Sequence, residues 1–286
     1  MGLPEKFIEL HWPLSRVTLG EIIQERDERI TGRLSAREGE FVYKIADTSK
    51  TEEAISRDTY IFDFLLSSGF KHVPSLLKTK RDTPYSEVEG RYAYIMEYAG
   101  KQAAPTPETW AVLGSITAQL HSIQGYPYKS LFSFESAKRL FPQKAAQLPF
   151  GKDYMELVEM LPDFDALSQS IIHTDIGHHN AVEGNDGKLV LIDWDDAGIC
   201  STILDLGAPL ICHFLHEDEY FLNAEAETFY RTYFSENEIP GDEKKYLFDA
   251  GLFFALMYAP FGDIQKNWKK ILFALERKEL FQSIIG

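Results

Sequence analysis

The first third of the chain is dominated by short segments in which apolar and polar residues alternate, as they do in half-buried β-strands. Five segments there are predicted to be strands: residues 17–24, 30–36, 40–46, 73–80 and 92–100. Between the third and the fourth, Thr51 is placed to cap a helix over residues 52–68, which Gly69 ends. The pattern therefore predicts a small antiparallel sheet with one helix.

After residue 106 the apolar residues recur at spacings of three and four, which is the period of an amphipathic helix. The predicted helices cover residues 107–123, 217–235, 243–258 and 265–284. Residues 125–165 are expected to form short helices and loops, and Pro105 and Pro107 mark a plausible boundary before the helical part. The chain is therefore predicted to be an α+β protein, with a small N-terminal antiparallel-sheet part and a larger, mainly helical C-terminal part.

The composition indicates a globular protein, with 44% hydrophobic and 13% aromatic residues in a chain of 286. Its formal charge is −15, which disfavours a nucleic-acid partner because such a partner needs a basic surface. The same charge can attract a cationic ligand, or it can simply support solubility. The charge thus narrows the class of partner without identifying one.

Neither the N-terminus nor the apolar runs predict secretion or a membrane partner. The N-terminus lacks the apolar core of a signal peptide, and the longest apolar run, 251–261, is too short to span a bilayer. Cys200 and Cys212 fit neither a metal-binding spacing nor a disulfide framework, so a reducing compartment is expected. We expect a cytoplasmic protein, and the sequence leaves its oligomeric state open.

Candidate chemistry is concentrated between residues 171 and 198, where two apolar segments flank a polar loop. Three side chains with carboxylate or amide oxygens stand at loop and strand-end positions: Asp175, Asn180 and Asp193. Oxygen ligands of this kind suit Mg²⁺, and a further carboxylate is then free to orient a hydroxyl nucleophile. The simpler alternative is a β-hairpin whose Asp and Asn residues only satisfy turns.

The order of these residues resembles the catalytic core of the protein-kinase-like superfamily, in particular the small-molecule kinases that include aminoglycoside phosphotransferases and choline kinases. The matching pattern is His-x-Asp-x-x-x-x-Asn, followed after a hairpin by Ile-Asp: His173, Asp175, Asn180, Ile192 and Asp193. The resemblance implies a bilobal fold, with a nucleotide-binding lobe over 1–99 and a catalytic and acceptor-binding lobe over 100–286. It also implies that Asp175 accepts or orients the acceptor hydroxyl, and that Asn180 and Asp193 hold Mg²⁺ on the nucleotide phosphates.

The resemblance assigns further roles in the N-terminal part. Lys44 lies in a segment similar to the Val-Ala-Ile-Lys strand of kinases, which implies that it pairs with the α- and β-phosphates. The acid that fixes this lysine is expected on the following helix; Asp58 is favoured over Glu52 because it lies nearer the helix centre. Backbone groups of Glu97 and Ala99 are implied as the adenine contacts.

Other parts of the chain are expected to be structural or depart from the family pattern. His173, His121 and Asp205 are predicted to have structural roles, with Asp205 supporting the catalytic loop. The loop over residues 24–29 contains no glycine, so the resemblance assigns no phosphate contact to it. Two features point to a small acceptor rather than a protein: Gly177 replaces the lysine of protein kinases, and neither Asp-Phe-Gly nor Ala-Pro-Glu occurs.

The sequence therefore predicts a Mg²⁺-dependent transfer of the γ-phosphate of ATP or GTP to a hydroxyl of a small molecule. Asp195 and Asp196 lie beside the motif and could attract an amine, so a cationic acceptor such as choline or an aminoglycoside fits. Sugar, homoserine-like and macrolide acceptors stay open. The competing hypothesis is a catalytically inactive binding protein on a kinase scaffold, which the glycine-free loop favours and the complete residue set disfavours.

Overall fold

The computed structural model describes residues 3–26, 28–184, 186–216 and 220–285, and its internal contacts divide the chain into two units. The first unit comprises Met1–Lys101 and Val182–Asp195; the second comprises Gln102–Ala181 and Asp196–Gly286. The sequence placed one boundary at 99/100 and did not predict that a later segment returns to the first unit. One contact that holds this later segment in the first unit is the hydrogen bond from the Leu191 amide to the carbonyl oxygen of His72, at 2.8 Å.

The first unit is built on a six-stranded antiparallel sheet. Its strands are β1 (Thr18–Arg26), β2 (Arg29–Ala36), β3 (Gly39–Ile45), β4 (Leu76–Leu77), β5 (Ser86–Val88) and β6 (Arg91–Glu97). The spatial order is β1-β2-β3-β6-β4, and β5 pairs with β6. The strand predicted at 73–80 is limited to β4, and β5 lies in a stretch for which no strand was predicted. In the β3–β6 register Lys44 stands opposite Tyr94, which fixes the position of the lysine on the sheet.

Two helices pack with this sheet: α1 (Glu5–His11) and α2 (Glu52–Ser67). The predicted cap of α2 is confirmed, because the Thr51 hydroxyl accepts the amide of Ala54 at 3.2 Å. The sequence did not predict α1, whose N-cap residue is Pro4 and makes no side-chain cap. The helix is stabilised instead by burial of Ile8 and of Trp12, which follows it, in the core of the first unit.

The remaining strands are short: β7 (Lys101–Gln102), β8 (Gln169–Ile172), β9 (Ala181–Glu183), β10 (Leu189–Leu191) and β11 (Gly198–Ser201). In the second unit β8 pairs antiparallel with β11, and Ile172 stands opposite Gly198. In the chain, β9 and β10 are neighbouring strands joined by the turn around Gly187, whose φ is +76°. These strand ends position the polar residues of the motif.

The second unit is mainly helical, as predicted. Its helices are α3 (Pro107–Ser122), α4 (Phe134–Ala145), α5 (Gly151–Glu159), α6 (Thr202–Cys212), α7 (Asn223–Glu236), α8 (Leu247–Tyr258), α9 (Ile264–Glu276) and α10 (Lys278–Ile285). The predicted helix 217–235 begins later, at Asn223, and its residues 217–219 lie outside the described residues. The predicted helix 265–284 is two helices that meet at Arg277. Within the described ranges, every helix falls short of the length and apolarity needed to cross a membrane.

Helix α6 has the most buried sequence in the second unit, and the sequence analysis did not predict it as a helix. Ten of its eleven residues are buried, so it has no exposed polar face of the kind that identifies a surface helix. It also carries the buried acid Asp205 in its first turn, while Pro209 lies inside it. Its position brings Asp205 to the end of β8.

Candidate active site

The loop that follows β8 carries the first half of the predicted motif, and a buried carboxylate fixes its backbone. Asp205 accepts the amide of His173 at 2.7 Å on one oxygen and the amide of Thr174 at 2.6 Å on the other. Thr174 has a φ of +77°, in the left-handed region that side chains with a branched Cβ rarely adopt. Two charge-assisted hydrogen bonds therefore hold a backbone conformation that is unfavourable by itself.

Asp205 is itself held by a chain of buried side chains. His121 Nε2 lies 3.2 Å from Asp205 Oδ2, the oxygen that accepts the His173 amide, and His121 Nδ1 lies 2.9 Å from the hydroxyl of Tyr233. Asp205, His121 and Tyr233 are almost fully buried, so the network has little access to water. The structural roles predicted for Asp205 and His121 are confirmed by these contacts.

Asp175 and Asn180 are brought together in this loop. The Asn180 amide nitrogen donates to the Asp175 carbonyl at 3.0 Å and to Asp175 Oδ2 at 2.8 Å. These bonds close the loop with one side chain and use only the nitrogen of the amide. The Asn180 oxygen is consequently the atom of that side chain that can ligate a cation.

Two imidazoles flank the Asp175 carboxylate. His179 Nε2 lies 2.9 Å from Oδ2, and His213 Nε2 lies 3.5 Å from Oδ1. Burial alone would raise the pKa of Asp175, but contacts with the two imidazoles lower this pKa well below its usual range. The carboxylate is therefore ionised at neutral pH and is a weak base, which suits it to orient a hydroxyl more than to remove its proton early.

Sequence reasoning missed His213, which follows α6 and belongs to no recognised motif. Its ring lies 6.1 Å from the ring of Trp110, which also packs against Phe214 at 4.5 Å. Burial lowers the pKa of His213, so its imidazole favours the neutral form. No local signal in the sequence could have found this residue, because it reaches Asp175 only through the packing of α6.

The second half of the motif lies in the first unit, on the segment after β10. Lys44 Nζ, on β3, lies 2.7 Å from Asp193 Oδ1 and 3.1 Å from Asp195 Oδ1, and the Tyr94 hydroxyl donates to the same Asp195 oxygen at 3.3 Å. Burial lowers the pKa of Lys44, but the oxygens of Tyr94, Asp195 and Asp193 more than offset this and raise it well above its usual value. The ammonium is thus permanently charged.

The segment around Asp193 is also held in an uncommon conformation. Asp193 has a φ of +67°, and the next residue, Trp194, is buried. The Trp194 indole donates to the Leu191 carbonyl at 2.8 Å and packs edge-on against Phe70, with ring centroids 6.0 Å apart. The fixed tryptophan allows Asp193 and Asp195 to face the same lysine.

The structure does not bring together Asp58 and Lys44, for which a pairing was expected. Asp58 is buried on α2. Its carboxylate contacts Lys50, eight residues earlier in the chain, at 2.5 Å and the adjacent Arg57 at 2.8 Å. These cations satisfy the carboxylate, while Lys44 is satisfied by the two acids after β10. Asp195, for which attraction of an acceptor amine was one hypothesis, is a partner of Lys44; its spacing of two from Asp193 was the available signal.

The segment predicted to contact adenine continues the sheet of the first unit. The Glu97 amide donates to Ser75 at 3.0 Å, and the next amide, of Tyr98, donates to Glu40 at 3.1 Å. Gly100 has a φ of +148°, and a Cβ there would lie 2.0 Å from the Glu183 carbonyl oxygen, so only glycine fits. The backbone contacts assigned to Glu97 and Ala99 stay a prediction.

The glycine-free loop is a tight hairpin. The pairing of β1 with β2 continues to Arg26 opposite Arg29, and Glu28 has a φ of +66°. Asp27 lies outside the described residues. The hairpin therefore closes without the glycines that bring backbone amides close to phosphate in protein kinases.

Comparisons with known proteins identify the family of the chain and its fold. The family model described as the phosphotransferase enzyme family, APH, matches residues 28–241, most of the chain. Among solved structures, the chain is similar to a microcompartment-associated aminopropanol kinase, with 17% identity, a TM-score of 0.71 and coverage of 97% of both chains.

Two further structures are similar over nearly the whole chain. An ethanolamine kinase of Plasmodium vivax has 11% identity and a TM-score of 0.65, covering 98% of this chain and 88% of that one. A spectinomycin phosphotransferase solved with ADP and spectinomycin has 15% identity and a TM-score of 0.61, covering 98% of this chain and 96% of that one. At these identities the likeness is one of fold, and it confirms the predicted protein-kinase-like class.

Proposed function

The chain belongs to the phosphotransferase enzyme family, and from that premise we propose that it transfers the γ-phosphate of ATP or GTP to a hydroxyl of a small molecule, with Mg²⁺. The observation that carries the proposal is the loop after β8, where Asn180 donates to Asp175 and Asp205 fixes the backbone. Phosphoryl transfer requires mainly positioning and charge stabilisation, which a loop built in this way supplies.

On the nucleotide side, Lys44 is proposed to hold the α- and β-phosphates. A bound phosphate would replace one of the two carboxylates that now contact the ammonium. Asp195 is the acid expected to stay, since the Tyr94 hydroxyl also holds it and its side chain is 27% exposed, against 51% for Asp193. Asp195 thus takes the positioning role that the sequence assigned to Asp58. Backbone groups of Glu97 and Ala99 are proposed to contact the base.

Asp193 and Asn180 are the proposed magnesium ligands. A carboxylate and an amide oxygen are the hard donors that Mg²⁺ takes from proteins, and Asn180 keeps its oxygen for this use by donating through nitrogen. When bound, the ion would neutralise charge on the phosphate oxygens. The more exposed position of Asp193 supports this role over that of Asp195.

On the acceptor side, Asp175 is proposed to accept a hydrogen bond from the substrate hydroxyl and to align its oxygen with the phosphate. The lowered pKa of Asp175 keeps it ionised for this purpose. Among acceptors we propose amino alcohols and aminoglycosides first, because the net charge of −15 favours cations and two of the similar structures are aminopropanol and ethanolamine kinases.

The first test is calorimetric titration with ATP and with GTP, each with and without Mg²⁺, on the natural chain and on Asp193→Asn. We expect metal-dependent binding that the substitution abolishes, because it removes the anionic ligand while conserving size. Asp186→Asn is the matched control, since that carboxylate lies on a turn and contacts Lys188. Absence of binding by either nucleotide would favour the inactive-scaffold hypothesis instead.

The second test is a screen for phosphate transfer, followed as nucleoside diphosphate release in the presence of amino alcohols, aminoglycosides and sugars. Asp175→Asn should lose nearly all turnover with the best acceptor while nucleotide binding stays within about twofold, since Asp175 is assigned to the acceptor. Full turnover in this variant would show that Asp175 does not orient the hydroxyl.

A further inference from the structure

The Asp175 carboxylate is part of a second cluster, which consists of metal-ligating atoms and lies wholly within the second unit. One ligand atom each from Asp175, His179 and His213 can be chosen so that all three lie within 4.8 Å of one another. The two closest approaches are 2.9 Å, from His179 Nε2 to Oδ2, and 3.5 Å, from His213 Nε2 to Oδ1. Tetrahedral zinc, with bonds of about 2.1 Å, places its ligand atoms about 3.4 Å apart.

The backbone makes room for the two imidazoles at Gly177. A Cβ on this residue would lie 2.6 Å from His179 Cε1 and Nδ1, and 3.0 Å from His213 Nε2. The φ of Gly177 is −166°, which any residue adopts, so space and not backbone conformation requires glycine here. Gly177 also stands where protein kinases carry a lysine, and a cation there would oppose a metal ion.

The nitrogen of His213 that faces Asp175 is buried and makes no hydrogen bond among the described residues. Its separation of 3.5 Å from Oδ1 is an ion-pair distance rather than a good hydrogen bond. A buried imidazole nitrogen normally has a partner, so this atom is left with a lone pair or a proton to satisfy. A metal ion bridging the nitrogen and the carboxylate would satisfy it.

We propose that Asp175, His179 and His213 form a binding site for Zn²⁺. Two imidazoles and a carboxylate, with a water molecule as fourth ligand, are a common ligand set for this ion. Mg²⁺ prefers all-oxygen ligands and would not compete well for this set. The Asn180 amide, which donates to Asp175 Oδ2 at 2.8 Å, provides the hydrogen bond that ligating carboxylates usually accept.

Occupation of this site would have a consequence that rests on the proposed function. Zinc would engage the carboxylate that is assigned to orient the acceptor hydroxyl, so phosphoryl transfer would stop while the ion is bound. Nucleotide binding, which is assigned to Lys44, Asp193 and Asn180, would be kept, because none of these three residues is a zinc ligand. The site therefore gives the enzyme an inhibitory response to free zinc.

The test is a titration of the metal-free, tag-free chain with Zn²⁺ alone, in the absence of nucleotide, by calorimetry and by competition with a chromogenic chelator. We expect one zinc per chain, with affinity at least about tenfold weaker in His179→Gln and in His213→Gln. His216→Gln is the matched control: His216 is exposed, stacks on Tyr220 and lies outside the cluster. Absence of binding, or equal affinity in all variants, would overturn the proposal.

A second measurement uses Co²⁺ in place of zinc, because the visible absorption of bound Co²⁺ depends on its nitrogen and oxygen ligands. The natural chain and His216→Gln should give the same spectrum, and His179→Gln a weaker or altered one. If His213→Gln does not fold, as circular dichroism would show, His179→Gln still decides, because its side chain is 37% exposed. An unaltered spectrum in His179→Gln would contradict the assignment.

The inhibitory consequence is measured on the active enzyme with its best acceptor. Zinc should abolish turnover of the natural chain, a chelator should restore it, and nucleotide affinity should stay unchanged throughout. Turnover that persists at saturating zinc would contradict the shared use of Asp175. If no acceptor is phosphorylated, the proposed function fails by itself, and the zinc titrations still decide whether the site exists.

Discussion

Replacement of Asp205 by Asn would test how the catalytic loop is held. The buried carboxylate accepts one backbone amide on each oxygen, from His173 and from Thr174. Asp205→Asn conserves size and shape but exchanges one accepting oxygen for an NH₂ group. One of the two amides would then face a donor, and it could not reach water because the site is buried.

The expected cost can be worked from these contacts. Loss of a hydrogen bond to a charged group costs about 1.5–3 kcal/mol, and a buried amide without a partner costs about 1–3 kcal/mol more. The two costs sum to roughly 2.5–6 kcal/mol. Whole domains are stable by only about 5–15 kcal/mol, so the variant should fold but be strongly destabilised. Release of the left-handed Thr174 should also displace Asp175.

The assay is urea unfolding followed by circular dichroism, together with turnover measured under conditions in which the variant is folded. Asp165→Asn is the matched control, because that carboxylate also accepts two backbone amides, of Phe134 and Glu135, but lies near the surface. Water can replace the lost partner there, so the control should lose only about 1 kcal/mol, as typical helix caps do.

The reasoning would be refuted if Asp205→Asn lost no more stability than Asp165→Asn. It would also be refuted if the folded variant kept its turnover, since Asp175 would then hold its position without Asp205. A loss of stability without a loss of turnover would assign Asp205 to the fold alone.

Three further predictions follow from other contacts. Lys44→Met should weaken nucleotide binding at least about tenfold, since it leaves Asp193 and Asp195 unpaired, whereas Lys188→Met, on an exposed turn, should not; equal affinities by calorimetry would contradict the role of Lys44. Gly177→Ala should lower both turnover and zinc affinity with little loss of stability, because the added methyl displaces the two imidazoles; unchanged values would show that the loop adjusts freely. Burial raises the pKa of Cys200 to about 11 and that of Cys212 to about 12, above the value of about 8.5 in an unfolded chain. These thiols stabilise the fold below about pH 8.5, and that contribution is lost as the pH rises towards 11, so alkylation at pH 8 should be slow in the native protein and fast in urea. Rapid labelling of the folded protein would contradict this.

Much of the fold could be predicted from local sequence. The alternation over 30–36 and 40–46 gives β2 and β3, and the Thr51 cap gives the start of α2, because burial of one face and capping act over a few residues. Helix α6 was missed because almost all of its residues are buried, so it presents no exposed polar face. Helix α1 was missed because its stability comes from the sheet beneath it.

Part of the candidate site could also be predicted from the sequence, and part could not. The spacing from Asp175 to Asn180 already determines a contact, since a loop of five residues closed by an amide has few alternatives. Asp193 and Asp195 are only two residues apart, and both contact Lys44. The sequence therefore determined which residue types are present in the motif and which of them lie close together.

Only the tertiary structure decided the partners of the charged groups. Lys44 contacts two acids that lie 149 and 151 residues away in the sequence. The carboxylate of Asp58, the acid predicted to pair with this lysine, contacts Lys50 and Arg57 instead. His213 reaches Asp175 only through the packing of α6. Periodicity in the sequence indicates which face of a helix or strand is buried. Which charged side chain contacts that face depends on how distant segments of the chain pack, and this is determined only in the tertiary structure.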